Sequence, residues 1–176
     1  MIVRNRHRNI GLIGFMATGK TVVGKNLADK LGLAFVDTDE LVMEEAGKSI
    51  PEIFEEDGEA IFRELECEIV KQVCQSNSQV ISFGGGVVLS PTNTYKIKEN
   101  TITILLTASN DTIHSRIRTS SLRPLLTSMH ANLEDSINEL LAQRDILYRT
   151  AMDFTVCTDG KSVSEVVEVI TRRIQH

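Results

Sequence analysis

The segment GFMATGKT, residues 14–21, is the most informative part of this 176-residue chain. It matches G-x-x-x-x-G-K-[ST], the pattern of a glycine-rich loop that joins a strand to a helix and holds phosphate groups. An apolar run at 10–13 precedes it, and an apolar pattern of helical period follows it. Gly14 and Gly19 let the backbone aim several N–H groups at one point, where the helix N-terminus adds a positive dipole. The segment therefore predicts a phosphate-binding loop, and its context disfavours a glycine turn that binds nothing.

Strand-like and helix-like segments alternate along the rest of the chain. The strand-like segments lie at 10–13, 34–36, 80–83, 101–107 and 154–157. This alternation predicts a single α/β domain over residues 1–176, with three layers (α/β/α) around a five-stranded parallel sheet. A polar stretch without a clear period lies within about 117–132, and we expect it to act as a lid.

Composition and charge exclude several classes of protein. A net charge of −5 gives little basis for binding a phosphate backbone, so we expect no nucleic-acid partner. Three cysteines without a CxxC pair are typical of a reducing compartment. The N-terminal residues resemble no secretory signal, and no apolar run reaches the roughly 18 residues of a membrane span. We therefore expect a cytoplasmic protein that does not bind membranes.

Two polar segments follow the second and third predicted strands. Asp37-Thr38-Asp39 ends one strand, and the glycines at 84–86 end the other. Ligands of open α/β sheets bind at this carboxyl edge. One carboxylate could face a metal while the other faces a substrate hydroxyl, although Thr38 or Asp39 could instead cap a helix that starts near Glu40. The glycines allow a ligand to approach the backbone closely, or they form a plain turn.

Two arginines lie on the apolar faces of predicted helices. Arg63 and Glu66 fall inside the apolar arc of the helix at 62–75, and Arg144 lies near the centre of the apolar stripe that begins at Leu133. Inward charges are costly unless they have partners. The partners are either internal carboxylates or an anionic group of a second substrate, which arginine binds in bidentate fashion.

Taken together, these segments resemble the shikimate kinase family, from about Asn9 to the final helix. The resemblance rests on GFMATGKT at 14–21, FVDTDE at 35–40, SIPEIFEEDGEAIFRELE at 49–66, GGG at 84–86, RPLL at 123–126 and RDILYRTA at 144–151. It implies a P-loop NTPase fold similar to nucleoside monophosphate kinases. It also implies transfer of the γ-phosphoryl of ATP to the 3-hydroxyl of shikimate in aromatic amino-acid biosynthesis, by a monomer that uses one Mg²⁺.

The resemblance assigns roles to individual residues. Lys20, Asp39 and Arg123 would be catalytic, and Thr21 and Asp37 would hold Mg²⁺. ATP would contact Gly14, Phe15, Met16, Ala17, Thr18, Gly19, Lys20, Thr21, Val22, Arg123 and either Arg116 or Arg118, the last two being candidates to stack on adenine. Shikimate would contact Asp39, Phe54, Phe62, Arg63, Gly84, Gly85, Gly86 and Arg144, within a helical substrate region at about 38–66 and the elements beside it. Glu66 would support Arg63.

Two departures from the family and two rival functions bear on these expectations. Ala17 stands where the family usually has glycine, so we expect altered nucleotide affinity without its loss. The short segment at 118–123 leaves both adenine candidates open.

A kinase for another polyol acid, such as gluconate, would share the phosphate loop but gives no reason for the DTD, GGG and Arg63 combination. A nucleotide-binding module without turnover would bind ATP but release no ADP in response to shikimate.

Overall fold

Five parallel strands form the central sheet of the computed structural model, which describes residues 9–118 and 133–175. The strands are β1 (Asn9–Ile13), β2 (Ala34–Asp37), β3 (Gln79–Ser82), β4 (Thr101–Thr107) and β5 (Phe154–Cys157). Their order in the sheet is β2-β3-β1-β4-β5, and Ile10 of β1 pairs with Val80 on one side and Ile102 on the other. The predicted five-stranded parallel sheet is confirmed.

Helices connect the strands in the alternation that the sequence predicts. They are α1 (Lys20–Leu31), α2 (Thr38–Ala46), α3 (Ile50–Glu52), a π-helical turn (Ile53–Asp57), α4 (Gly58–Gln75), a 3-10 turn (Val87–Leu89), α5 (Pro91–Asn100), α6 (Asn110–Arg118), α7 (Leu133–Ala151) and α8 (Val163–Gln175).

The helices cover both faces of the sheet, which gives the predicted three layers. On one face, side chains of α1 and α8, such as Leu27 and Ile170, pack against strand residues such as Leu12. On the other face, residues of α4, α5, α6 and α7 pack around Ile13 and Ile81. Strand residues that are apolar in succession are what a sheet covered on both faces requires.

The segment after α2 departs from a regular helix. Ser49 and Glu52 form a capping box, with Pro51 in the first turn. After one turn the chain widens into the π-helical turn at 53–57, and α4 starts at Gly58, which has a φ of +87°. The interruption was not predicted, and it holds Phe54 beside Phe62, with ring centroids 4.8 Å apart.

Part of the predicted lid lies outside the described residues. Residues 119–132, including Arg123, are not described, and neither is the side chain of Arg118. Within the ranges that the structure describes, no helix is both long enough and apolar enough to cross a membrane.

Candidate active site

The phosphate loop connects β1 to α1 at the carboxyl edge of the sheet. Gly14 has a φ of +144°, and a Cβ atom there would lie 2.4 Å from the Leu106 carbonyl oxygen, so a larger residue would clash with β4. Gly19, with a φ of +97°, lies at the start of α1. The Thr18 hydroxyl donates to the Phe15 carbonyl over 2.8 Å. The loop therefore has the close-packed backbone that its glycines predict.

Lys20 folds back over this loop. Its Nζ donates to the carbonyl oxygens of Gly14 and Phe15 at 2.8 and 3.0 Å. Enclosure of the ammonium group lowers the pKa of Lys20, while the nearby carboxylates of Asp39 and Asp37 act in the opposite direction. The Lys20 ammonium thus lies between the phosphate loop and the predicted acidic pair.

Asp37 links the phosphate loop to the start of α2. Its Oδ2 accepts a hydrogen bond from the Thr21 hydroxyl over 2.8 Å, which brings the two predicted metal ligands together. Its Oδ1 accepts from the backbone N–H of Asp39 over 3.0 Å and so caps α2. The alternative in which Thr38 or Asp39 caps this helix is wrong, because Asp37 is the cap and the helix begins at Thr38.

Thr38 is a residue of the site that sequence reasoning considered only as a possible helix cap. It is fully buried, and its hydroxyl oxygen accepts from the N–H of Gly84 over 2.9 Å. This bond ties the acidic segment to the glycine triplet of the neighbouring strand. Its position between two candidate aspartates was the available signal.

Asp39 lies next to the glycine triplet and within electrostatic reach of Lys20. Burial raises the pKa of its carboxyl and the charge of Asp37 adds to the rise, whereas Lys20 and Arg63 oppose it. A Cβ atom on Gly84 would lie 2.4 Å from Asp39 Oδ1, so the glycine makes room for this carboxylate. The structure therefore places Asp39 against the first glycine of the triplet.

Arg63 lies beside the last glycine of the triplet. Its Nη1 donates to Glu66 Oε2 over 2.9 Å, and its Nη2 donates to Glu59 Oε1 over 3.1 Å. A Cβ atom on Gly86 would lie 2.5 Å from Arg63 Nη1. The carboxylate pairing weighed as an alternative to ligand binding is therefore present, and it aims the guanidinium at the glycines.

Glu66 is the most deeply buried acid near the site. Its exposed fraction is 1%, and burial raises the pKa of its carboxyl while Arg63 counteracts that rise. Among the residues described, its Oε1 finds no hydrogen-bond partner. The same oxygen lies 3.3 Å from where a Cβ atom on Gly84 would stand. Glu66 thus has one oxygen for Arg63 and one that faces the glycine triplet.

Arg144 reaches the middle glycine from α7. Its Nη1 lies 3.4 Å from the Gly85 carbonyl oxygen, and its guanidinium carbon lies 5.9 Å from the Phe15 ring centroid. The Tyr148 hydroxyl donates to the same carbonyl. Sequence reasoning assigned Tyr148 only to the apolar stripe, although its position four residues after Arg144 was the signal available.

A cavity of about 260 Å³ lies on the outer side of the phosphate loop. Its lining includes Thr18, Gly19, Val22, Arg116, Thr158 and Lys161. Arg116 Nη1 donates to the Ala17 carbonyl over 3.0 Å and to the Thr158 hydroxyl over 3.1 Å. Thr158 and Lys161 follow β5 at the same sheet edge, and sequence reasoning missed them.

The geometry separates two chemical environments around Asp39. One side offers loop N–H groups, the Lys20 ammonium and the paired Thr21 and Asp37 oxygens, which suit a polyphosphate with a cation. The other side offers two guanidiniums over three glycines, which suit a small ligand with an anionic group. Phe54 and Phe62 border this second side.

Comparisons with known proteins agree on one family. A family model described as shikimate kinase matches residues 16–175. The shikimate kinase of Thermodesulfovibrio yellowstonii is 44% identical over 168 residues, covering 96% of this chain and 95% of that relative. The structure of shikimate kinase from Acinetobacter baumannii in complex with shikimate superposes with a TM-score of 0.90 at 32% identity, covering 96% of this chain and 93% of that one. The Aquifex aeolicus shikimate kinase structure gives a TM-score of 0.82 at 36% identity, covering 95% and 96%.

Proposed function

The chain belongs to the shikimate kinase family, and from that premise we propose that it transfers the γ-phosphoryl group of ATP to the 3-hydroxyl of shikimate, yielding shikimate 3-phosphate and ADP. The observation that carries the proposal is the position of Asp39. Its carboxylate lies against Gly84 and interacts electrostatically with both the Lys20 ammonium of the phosphate loop and the Arg63 guanidinium of α4. A hydroxyl held there would face both a phosphate donor and a base.

The phosphate loop would bind the triphosphate. Backbone N–H groups at the start of α1 suit its charge, and Lys20 would reach the β- and γ-phosphates. To do so, its ammonium would exchange the carbonyls of Gly14 and Phe15 for phosphate oxygens, which are stronger acceptors. Catalysis would consist mostly of positioning and of stabilising charge on the transferred group.

Thr21 and Asp37 would hold the Mg²⁺ that accompanies ATP. Their oxygens lie 2.8 Å apart, and a hydroxyl and a carboxylate are the hard oxygen donors that Mg²⁺ takes together with phosphate oxygens and water. Bound there, Mg²⁺ would neutralise charge on the phosphates. Asp37 would still cap α2 through its other oxygen, so the metal position is fixed to the fold.

Asp39 would orient the acceptor hydroxyl and accept its proton. Burial raises the pKa of this carboxyl, which makes Asp39 a stronger base than an exposed aspartate. Its place against Gly84 leaves the ring of a small substrate free to lie along the triplet at 84–86. The nearby ammonium of Lys20 would keep Asp39 ionised while the donor is bound.

Arg63 and Arg144 would bind the carboxylate of shikimate from two different helices. Both guanidiniums lie next to the triplet, and a carboxylate accepts bidentate bonds from such groups. Glu66 would hold Arg63 in position, and Phe54 and Phe62 would form an apolar wall of the pocket.

Arg116 is our choice for the group that contacts adenine. It borders the 260 Å³ cavity next to the phosphate loop and is bound to the loop through the Ala17 carbonyl. Gly19 and Val22 line the same cavity. The roles of Arg123 on the phosphates and of the segment at about 117–132 as a lid remain proposals from the family resemblance, as do a monomeric state, one domain and a cytoplasmic location.

The test is ADP release by the purified chain with MgATP, in the presence and absence of shikimate. We expect release that depends on shikimate, is not supported by gluconate and is abolished in Asp39→Asn. Equal release with and without shikimate would overturn the proposal and leave an ATPase. Release that follows gluconate instead would assign the chain to another polyol acid.

A further inference from the structure

The carbonyl oxygen of Gly85 has two hydrogen-bond donors from α7. The Tyr148 hydroxyl donates to it, and Arg144 Nη1 approaches it at 3.4 Å. The two residues are four apart, so they lie on the same face of the helix one turn from each other. A single acceptor in the middle of the glycine triplet is therefore shared between a neutral donor and a charged one.

The two donors differ in strength and in surroundings. The contact from Arg144 lies at the outer limit of hydrogen-bond length, whereas the Tyr148 hydroxyl lies well within that limit. Tyr148 is 4% exposed, and burial raises the pKa of its hydroxyl to about 12, with the Arg144 guanidinium limiting that rise. The hydroxyl consequently stays protonated at any physiological pH and remains a donor.

The Tyr148 bond matters when the Arg144 guanidinium moves away from the Gly85 carbonyl oxygen. A carbonyl that loses its donor in an enclosed site carries a desolvation penalty, which would hold the arginine in place. Because the Tyr148 hydroxyl already donates to the Gly85 carbonyl oxygen, Arg144 can bind another acceptor without leaving that oxygen unpaired. The long Arg144 bond is then the one given up in exchange for a ligand.

We propose that Tyr148 is a positioning residue that holds the Gly85 carbonyl and thereby frees the Arg144 guanidinium for the carboxylate of the acceptor substrate. The inference rests on the proposed function, since it concerns how the acceptor is bound. It assigns Tyr148 an effect on acceptor affinity that acts through Arg144. Turnover and nucleotide binding do not depend on it.

The test is Tyr148→Phe, which keeps the ring and removes only the hydroxyl. Without the hydroxyl, the Gly85 carbonyl would have only Arg144 as a donor from α7. Binding of the acceptor substrate to Arg144 would then break the Arg144–Gly85 hydrogen bond. We expect the KM for shikimate to rise about five-fold, the effect of one hydrogen bond, while kcat and the KM for ATP change less than about two-fold. Tyr95→Phe is the matched control, because Tyr95 is 68% exposed on α5 and should change none of these values.

A second comparison isolates the route through Arg144. In an Arg144→Ala background, Tyr148→Phe should leave kcat/KM for shikimate unchanged, and kcat/KM can be measured even when shikimate does not saturate. The same fold-change in both backgrounds would overturn the inference, as would an unchanged KM, a parallel loss of kcat, or a Tyr148→Phe chain that fails to fold. A wild-type chain without shikimate-dependent ADP release would instead overturn the proposed function itself, and this inference with it.

Discussion

Ala17 has a left-handed backbone conformation, with a φ of +60°, in the middle of the phosphate loop. A side chain at such an angle costs roughly 1–2 kcal/mol relative to glycine, because its Cβ atom crowds the following carbonyl. The Ala17 carbonyl accepts from Arg116, which holds this turn in place. The residue that departs from the family pattern is thus also one where glycine would relieve strain.

Ala17→Gly should therefore stabilise the protein. We expect about 0.5 kcal/mol of added unfolding free energy, since relief of strain exceeds the entropy that glycine gains in the unfolded chain. The measurement is urea unfolding. Ala142→Gly, the same change in the interior of α7, should cost about 1 kcal/mol. If the two variants lost the same amount, the left-handed turn would not be strained.

Asp39→Asn should lose turnover and gain stability. The folded pKa of Asp39 is raised, so stabilisation by its protonated form is present below the unfolded pKa and is lost as pH rises through the folded pKa. At neutral pH the ionised carboxylate destabilises the fold, and the amide removes that charge. Melting curves should place Asp39→Asn above the wild type at neutral pH, with a gap that narrows as pH falls. A lower melting temperature at neutral pH would show that Lys20 and Arg63 outweigh burial.

At the scale of elements, the start of α2 combines a structural and a chemical duty in one side chain. Asp37 caps the helix with one oxygen and contacts Thr21 with the other. The capping alternative that the sequence offered, at Thr38 or Asp39, lies one or two residues too late. The reason is tertiary, because the Thr38 hydroxyl is used by Gly84, which lies 46 residues further along the chain.

Two substitutions should separate these duties. Asp37→Asn keeps a good cap, so stability should change by less than about 0.5 kcal/mol, whereas Asp37→Ala should cost about 1 kcal/mol. Both should raise the Mg²⁺ concentration needed for half-maximal ADP release by at least about ten-fold, because the carboxylate is gone. Urea unfolding and Mg²⁺ titration measure the two effects. An unchanged Mg²⁺ requirement in Asp37→Asn would remove Asp37 from the metal site.

Some of the other elements are determined by local sequence signals, and others depend on tertiary contacts. The strands β4 and β5 begin and end where the sequence predicts, because their apolar runs and flanking polar residues are local signals. The π-helical turn at 53–57 was not foreseen, since a segment of five residues is too short to show a helical period of its own. Glu66 could be placed on the inward face by its period, but its unpaired oxygen depends on residues from α2 and the glycine triplet.

For the whole molecule, the order of the strands determines which motifs meet. The sequence places the phosphate loop, the acidic segment and the glycine triplet each at a carboxyl strand end, but not next to one another. The arrangement β2-β3-β1 brings these three strand ends side by side. Arg144 and Tyr148 join them only because α7 packs against the same face of the sheet as α4, a contact that no local signal predicts.

The two layers of helices share the strands β1, β2, β3 and β4, so we expect the chain to unfold as one domain. The protein has no Trp, and its two tyrosines lie on α5 and α7. Tyrosine fluorescence therefore reports that layer, while far-ultraviolet circular dichroism reports all helices. The two urea transitions should coincide. Separate midpoints would indicate that the layers unfold independently.

The central claim is that this site transfers a phosphoryl group to an alcohol and not to water. Phosphorus NMR of a reaction with MgATP and shikimate tests this most directly, because it distinguishes a phosphate monoester from inorganic phosphate. We predict a new monoester resonance that grows in equal amount with ADP and requires shikimate. Inorganic phosphate growing in step with ADP, with no monoester, would contradict the account.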